Sequence, residues 1–306
     1  MKRIMLSVLI VLLALTLVGV PWANAQEDTG PRTVTDFMGQ PVTINAPPQR
    51  VVGMSASISE MLFAIGVTPV GVTDGMDYPP AAANLPTFGS GYQPDLEALA
   101  ALEPDLIIGN GQLNMQIMDK LQAIAPTLMI LTLTPEDVVK NIRTLGQATW
   151  HETQAEYLAQ SYEGFLSAMS AIGASETVHP SILIIVGTLD VPNYGKSETY
   201  LGDMAKILGA TNIADGNADQ GPFPGYTQLS TEYILNADPD FVFTITQGSD
   251  TPMPEAMKDD PIWSSLSAYQ NGHVMELDVR LFLESPGPRF VEAMLQLQDI
   301  LYGSGM

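Results

Sequence analysis

From residue 50 onward, short apolar runs alternate with segments of helical periodicity, the pattern of buried strands covered by helices. Val51, Val52 and Met54 predict a strand over 50–55. The next periodic segment predicts a helix over 58–65, stopped by Gly66 as a C′ glycine. A short strand follows at 70–72, a helix over 96–102, a buried strand over 105–108, a helix over 115–124, a strand over 127–131 and a helix over 136–149. Tyr157, Leu158, Tyr162, Phe165, Leu166 and Met169 recur at helical spacing and predict a long helix from 153 to about 172. The alternation then resumes: a strand over 181–186, a helix over 200–208 stopped by Gly209, a helix over 232–236, strands over 241–244 and 273–277, and a last helix over 290–301. Short apolar strands between helices predict an α/β fold with mostly parallel sheets, each covered on both faces.

The two halves match each other. Asp95-Leu96-Glu97, with Glu103-Pro104-Asp105-Leu106-Ile107 after it, corresponds to Ser230-Thr231-Glu232 with Asp238-Pro239-Asp240-Phe241-Val242, at an offset of 135 throughout. A second correspondence, at an offset of 143, sets Glu60-Met61, Ile65 and Gly66 against Asp203-Met204, Leu208 and Gly209. Two similar lobes are expected, an N-terminal one over 33–150 and a C-terminal one over 178–306. A connecting helix over 151–175 joins them, its central 20 residues spanning roughly 30 Å at 1.5 Å per residue. A cleft then lies between the lobes, and a helical connector limits how far it opens.

Asp95 and Ser230 are good N-caps, so Glu97 and Glu232 fall in the first turns of equivalent helices. A lone glutamate there needs no more explanation than the helix dipole, worth about 0.3–1 kcal/mol. A matched pair on two lobes is different: it suits two basic sockets on a partner, and such charge pairs set orientation and encounter rate.

Composition adds limits. Lys2 and Arg3 precede an almost unbroken apolar run over 4–20, then Pro21 and the small-x-small pattern Ala23-Asn24-Ala25, which together predict an export signal over 1–25 cleaved near Ala25. The remaining chain carries 34 acids against 10 bases, a net charge of −24. That surface repels nucleic acid and anionic lipid. The absence of cysteine excludes a disulfide framework, a thiolate nucleophile and a lipid-modified cysteine. A soluble, monomeric, extracytoplasmic protein is expected.

Here the chain resembles the periplasmic substrate-binding proteins of iron-siderophore and vitamin B12 ABC importers. The likeness is carried by Thr33-Val34-Thr35-Asp36 with Gly39, by Pro48-Gln49-Arg50-Val51-Val52 and by Gly66-Val67-Thr68-Pro69-Val70-Gly71-Val72. It continues through the segment from Leu96 to Ile108 and through Ile124-Ala125-Pro126-Thr127, and covers about 33–302. It implies two lobes joined by one long helix, a metal chelate held between them, and a membrane permease dimer as partner. It places the family's two docking glutamates on Glu97 and Glu232, facing permease arginines. No cofactor and no enzymatic activity are implied.

Ligand residues are sought in the loops at the sheet ends. Phe88 and Tyr92 in one lobe and Phe223 and Tyr226 in the other are candidate aromatic walls; loop anchoring is the alternative reading of each. Asp77-Tyr78-Pro79-Pro80 is similar to a stretch of the B12-binding proteins, and Tyr194-Gly195-Lys196-Ser197 to the family loop that opens the second lobe's first helix. Asp278, Arg280 and Phe282 precede the family-like Ser285-Pro286-Gly287-Pro288-Arg289 and are further candidates, Arg280 for the cleft and Arg289 for a structural role. Only Lys196 and Arg280 are candidate cations for the cleft, too few for a triply anionic ferric catecholate. A neutral ferric hydroxamate is therefore favoured, with cobalamin as the alternative.

Other chemistry finds little support. His151, His179 and His273 are isolated, so no metal site is expected. Gly109-Asn110-Gly111 follows a strand, but Asn114 stands where a dinucleotide loop needs its third glycine. Glu97 and Glu232 could serve as the two acids of a secreted glycoside hydrolase; their solvated places at capped helix starts argue against it.

Overall fold

The computed structural model describes residues 29–221, 223–284 and 286–303. The expected export signal lies outside them.

The first lobe opens with a hairpin, β1 (Arg32–Thr35) and β2 (Pro41–Ile44), paired antiparallel. Then come β3 (Val51–Gly53), α1 (Ala56–Ala64), α2 (Leu96–Ala101), β4 (Leu106–Asn110), α3 (Met118–Gln122), β5 (Thr127–Ile130) and α4 (Pro135–Thr149). Strands β3, β4 and β5 form one parallel sheet in that order.

Helix α5 (Glu152–Ser175) is the connector, 24 residues long, or about 36 Å. It continues three residues beyond the periodic apolar positions that end near 172. A Cβ on Gly173 would stand 2.5 Å from the Ile207 carbonyl oxygen, so only glycine lets the helix pass this close to the second lobe. Arg143 of α4 forks onto Glu156 and Glu163 of α5, at 2.7 and 2.6 Å.

The second lobe contains β6 (Ser181–Gly187), β7 (Pro192–Gly195), α6 (Tyr200–Ile207), β8 (Thr211–Asn212), β9 (Tyr226–Thr227) and α7 (Thr231–Ala237). After these come β10 (Phe241–Thr246), α8 (Met253–Lys258), α9 (Ser267–Gln270), β11 (Val274–Glu276) and α10 (Phe290–Tyr302). Its sheet runs β11-β10-β6-β7-β9, with β8 also on β6. Strands β11, β10, β6 and β8 pair in parallel, whereas β7 runs antiparallel to both of its neighbours, β6 and β9.

The repeat seen in the sequence is structural. Asp95 and Ser230 cap α2 and α7 through their side chains. Glu103 and Asp238, 135 residues apart, both adopt left-handed backbone, φ 45° and 41°, and end those helices. Asp105 and Asp240, at the same offset, then do the same work at the head of each sheet. Asp105 accepts the amides of Gln49 and Arg50, at 2.7 and 2.9 Å. Asp240 accepts the amide and hydroxyl of Ser181, both at 2.7 Å. Gly66 and Gly209 both lie at left-handed φ, 92° and 90°.

One apolar cluster runs through both lobes. It joins Ile58, Met61 and Leu62 of α1 to Ile142 and Leu145 of α4, then to Met204 of α6 and Met294 of α10. Phe290 wedges between Tyr162 and Phe165 of the connector, with ring centroids 4.9 and 5.9 Å away. The lobes are thus bound by buried apolar contact as well as by α5.

Two expected elements differ. At 70–72 there is no full strand: the Val70 amide donates to the Val51 carbonyl at 3.0 Å and Val72 bridges to Thr87, while between them Gly71 is a close approach under Leu102. The helix expected over 115–124 is a 3₁₀ turn, Met115–Ile117, followed by the short α3, because Ile117 at φ −114° and ψ 10° breaks the ladder.

Candidate functional site

The carboxyl ends of β3, β4, β6 and β10 open on a cavity of about 380 Å³ between the lobes. Ser55 and Ala56 follow β3, Asn110 ends β4 and Gln112 follows it, Val186 lies in β6, and Gln247 follows β10. This is where parallel α/β sheets place ligands, since the loops there leave exposed backbone and side chains around a crevice.

Tyr92 stands at the tip of a tight loop. Gly89 bridges Pro94 across it, and Asn114, fully buried, accepts the Asn110 amide and donates to the Gly91 carbonyl, at 2.9 and 3.0 Å. Tyr92 is 69 % exposed and lines the cavity. Facing it from the second lobe are Phe223, 47 % exposed, and Tyr226 of β9. Burial pushes the Tyr226 phenol up to about 12, with Tyr92 adding to the shift. Burial also raises Tyr92, and the charge of Glu284 adds to it. Both phenols stay protonated across the physiological range.

Two ion pairs cross between the lobes at this cavity. Arg280 reaches Asp77 at 2.6 Å, with both side chains about half exposed or more, so the pair is weak and can yield to a ligand. Arg289 binds Glu60 of α1 through two parallel hydrogen bonds, at 3.0 and 3.1 Å. Its guanidinium also lies over the Tyr78 ring, 4.8 Å from the centroid. Burial pushes the Glu60 carboxyl up, against the pull of Arg289. A second void of about 60 Å³ lies between the lobes around Tyr226 and Phe282; it is too small for anything beyond a few waters.

Comparison with known proteins fits this geometry. A sequence model described as "Periplasmic binding protein" matches residues 51–281. The chain belongs to the periplasmic binding protein family. An Fe(3+)-citrate-binding protein, YfmC, of Bacillus subtilis is 25 % identical over 84 % of this chain and 81 % of its own length. A cobalamin-binding protein of Halobacterium salinarum is 25 % identical over 90 % of this chain and 75 % of its own. The solved petrobactin-binding protein YclQ from Bacillus subtilis shares the fold, with a TM-score of 0.76 at 19 % identity, covering 89 % of this chain and 99 % of that one. This periplasmic binding protein is a substrate-binding component of transport, not an enzyme.

The sequence candidates divide. Tyr92, Phe223, Tyr226 and Arg280 line the cavity together. Phe88 does not: it is fully buried in the first lobe's core with Val52 and Leu99, and anchors the loop that carries Tyr92. Tyr194 is likewise a core residue, packed with Leu183 and Ile185. Its strand β7 was not anticipated, because Pro192-Asn193-Tyr194-Gly195 lacks apolar alternation. Phe282 is 1 % exposed and belongs to the shared core.

Lys196 is not among the residues that line the cavity. Its ammonium pairs with Asp219 at 2.5 Å and donates to the Asn217 carbonyl at 3.3 Å, holding the loop that leads to Phe223. Asp278 caps the π-helical turn Arg280–Glu284 by accepting the Leu281 amide at 2.8 Å. Glu97 and Glu232 are exposed in the first turns of α2 and α7.

Among the lining residues not anticipated are Glu60, Asp74, Gln112, Asn193, Gln247 and Glu284. A usable signal existed for two of them: Gln112 and Gln247 each follow closely on an apolar strand, where a parallel sheet presents its ligand-facing loops.

Proposed function

We propose that this protein captures a metal chelate outside the cytoplasm and delivers it to the permease dimer of an ABC importer, the chelate being a ferric hydroxamate. The observation that carries the reading is the cavity between the lobes: four aromatic side chains line it, Tyr78 among them, and both of its guanidiniums are already paired with carboxylates. Aromatic faces suit the apolar rim of a compact chelate. With no cation in the described lining outside these two pairs, an anionic chelate is disfavoured, a catecholate or citrate complex included. Its volume, about 380 Å³, lies at the small end for ligand sites and suits one compact chelate. Tyr92, Phe223, Tyr226 and Arg280 are the proposed contacts, and Glu97 and Glu232 the proposed permease contacts. The protein acts as a monomer, free after cleavage near Ala25; among the described residues no helix is long and apolar enough to cross a membrane.

Cobalamin is the second reading. It is supported by the likeness to the Halobacterium protein and by Asp77 and Tyr78, which face the cavity.

The test is titration of the protein with a neutral ferric hydroxamate, cobalamin and a ferric catecholate, followed by quenching of intrinsic fluorescence. Tight saturation by the hydroxamate supports the proposal. Saturation by cobalamin alone moves the assignment to the second reading, and preference for the catecholate overturns the charge argument.

A further inference from the structure

We infer that the cleft selects a chelate carrying net positive charge, such as a pendant ammonium, an inference that rests on the chelate-capture reading. Four carboxylates and two guanidiniums line the cavity: Glu60, Asp74, Asp77 and Glu284 against Arg280 and Arg289. Arg280 is held by Asp77 and Arg289 by Glu60. Asp74 and Glu284, one on each lobe, have no ion-pair partner among the described residues. The lining is therefore doubly negative.

Both unpaired carboxylates stand beside the loop that carries Tyr92. The Asp74 amide donates to the Gly89 carbonyl at 3.0 Å, at the base of that loop. Glu284 ends the π-helical turn and is close enough to Tyr92 for its charge to be felt by the phenol. Asp74 and Glu284 are exposed. A bound chelate strips water from them, which is unfavourable unless a cation replaces it. Tyr92, Phe223 and Tyr226 supply faces that also attract a cation. An anion would meet two unpaired carboxylates, and a neutral chelate would bind without gaining from them, so a cationic one is preferred over it. The net charge of −22 over the whole chain adds long-range attraction of the same sign.

The experiment binds two charge-matched pairs to the intact protein at pH 6.5, in low and in physiological salt. One pair is ferric desferrioxamine B, with its terminal ammonium, and the same complex acetylated on that amine. The other is cationic aquacobalamin and neutral cyanocobalamin. The expected result is that the cationic member of a bound pair binds roughly tenfold tighter, equivalent to two modest charge contacts, with a ratio that shrinks as salt is added. In the isosteric double variant Asp74→Asn, Glu284→Gln the ratio falls to about one. Equal or tighter binding of the neutral members overturns the charge inference and leaves chelate capture standing. A ratio that persists in the double variant overturns the assignment to Asp74 and Glu284. Failure of all four to bind overturns the chelate-capture reading, and this inference with it.

Discussion

Arg289, at the threshold of the last helix, closes a two-bonded ion pair on Glu60 of the first, across the boundary between the lobes. The Glu60 side chain is only 2 % exposed. The two bonds measure 3.0 and 3.1 Å, a fork geometry that arginine alone supplies. Arg289→Ala would strand a buried carboxylate, at a cost of about 3–5 kcal/mol. Urea denaturation should show that loss as a lower midpoint. The double variant Glu60→Gln, Arg289→Met should recover most of it, because removing both charges removes the uncompensated one. A double variant no more stable than Arg289→Ala would mean that Arg289 acts through packing instead.

The residue equivalent to Glu60 in the second lobe is Asp203, and its surroundings differ. The charges of Glu136 and Asp137, in the first turn of α4, act on it, as does that of Lys206 in its own helix. Burial first, then the two acids, push its carboxyl up to about 6 from 3.8, against the pull of Lys206. The folded state therefore holds the Asp203 proton more tightly than the unfolded chain does. That contribution is complete below about pH 4 and is lost as pH rises through about 6. Asp203→Asn should stabilise the protein at pH 7 by about 1–2 kcal/mol and remove this slope. Thermal melting of both forms between pH 4 and 7 checks it: the difference should widen with pH, and a constant difference would refute the role of titration.

How much of this was legible in the sequence follows from which contacts are local. The caps at Asp95 and Ser230, the left-handed turns at Glu103 and Asp238, and the sheet-head carboxylates Asp105 and Asp240 all recur at one offset. A repeat displays such short-range chemistry directly. The cleft is built from long-range contacts. Arg280 meets Asp77 across 203 residues, and Arg289 meets Glu60 across 229. Nothing in the spacing of either pair announces it. Phe88 and Tyr92 look alike as loop aromatics, yet the Gly89 turn sends one into the core and the other into the cavity. Strands β7 and β9 are short and polar at their ends, so hydrophobic periodicity passes over them.

The protonated phenols carry an optical prediction. Tyr226, pushed up to about 12, and Tyr92, raised by burial and by Glu284, resist becoming phenolates. The described lining contains no histidine. A ferric chelate should therefore bind with its own coordination intact, and its visible spectrum should keep its shape on saturation. A new charge-transfer band on binding, absent in Tyr92→Phe or Tyr226→Phe, would show direct ligation by that tyrosine.

The last prediction separates capture from delivery. Glu97 and Glu232 project from matching first turns, and neither carboxylate is engaged by another described side chain. Helix capping does not need them. Asp95 already accepts the amides of Glu97 and Ala98, at 2.9 and 3.0 Å, and Ser230 that of Tyr233, at 3.2 Å. Their contribution to the fold is limited to the helix dipole, about 0.3–1 kcal/mol each. Neither lines the cavity. Glu97→Ala with Glu232→Ala should therefore leave chelate affinity within about twofold and lower the melting temperature by only a few degrees. Import into cells that depend on this protein should fall at least about tenfold, as expected when two charge contacts with a permease are lost. Single variants should fall between, because one remaining contact still orients the complex. Retained import in the double variant, at normal protein level, would mean that the two glutamates serve their helices alone.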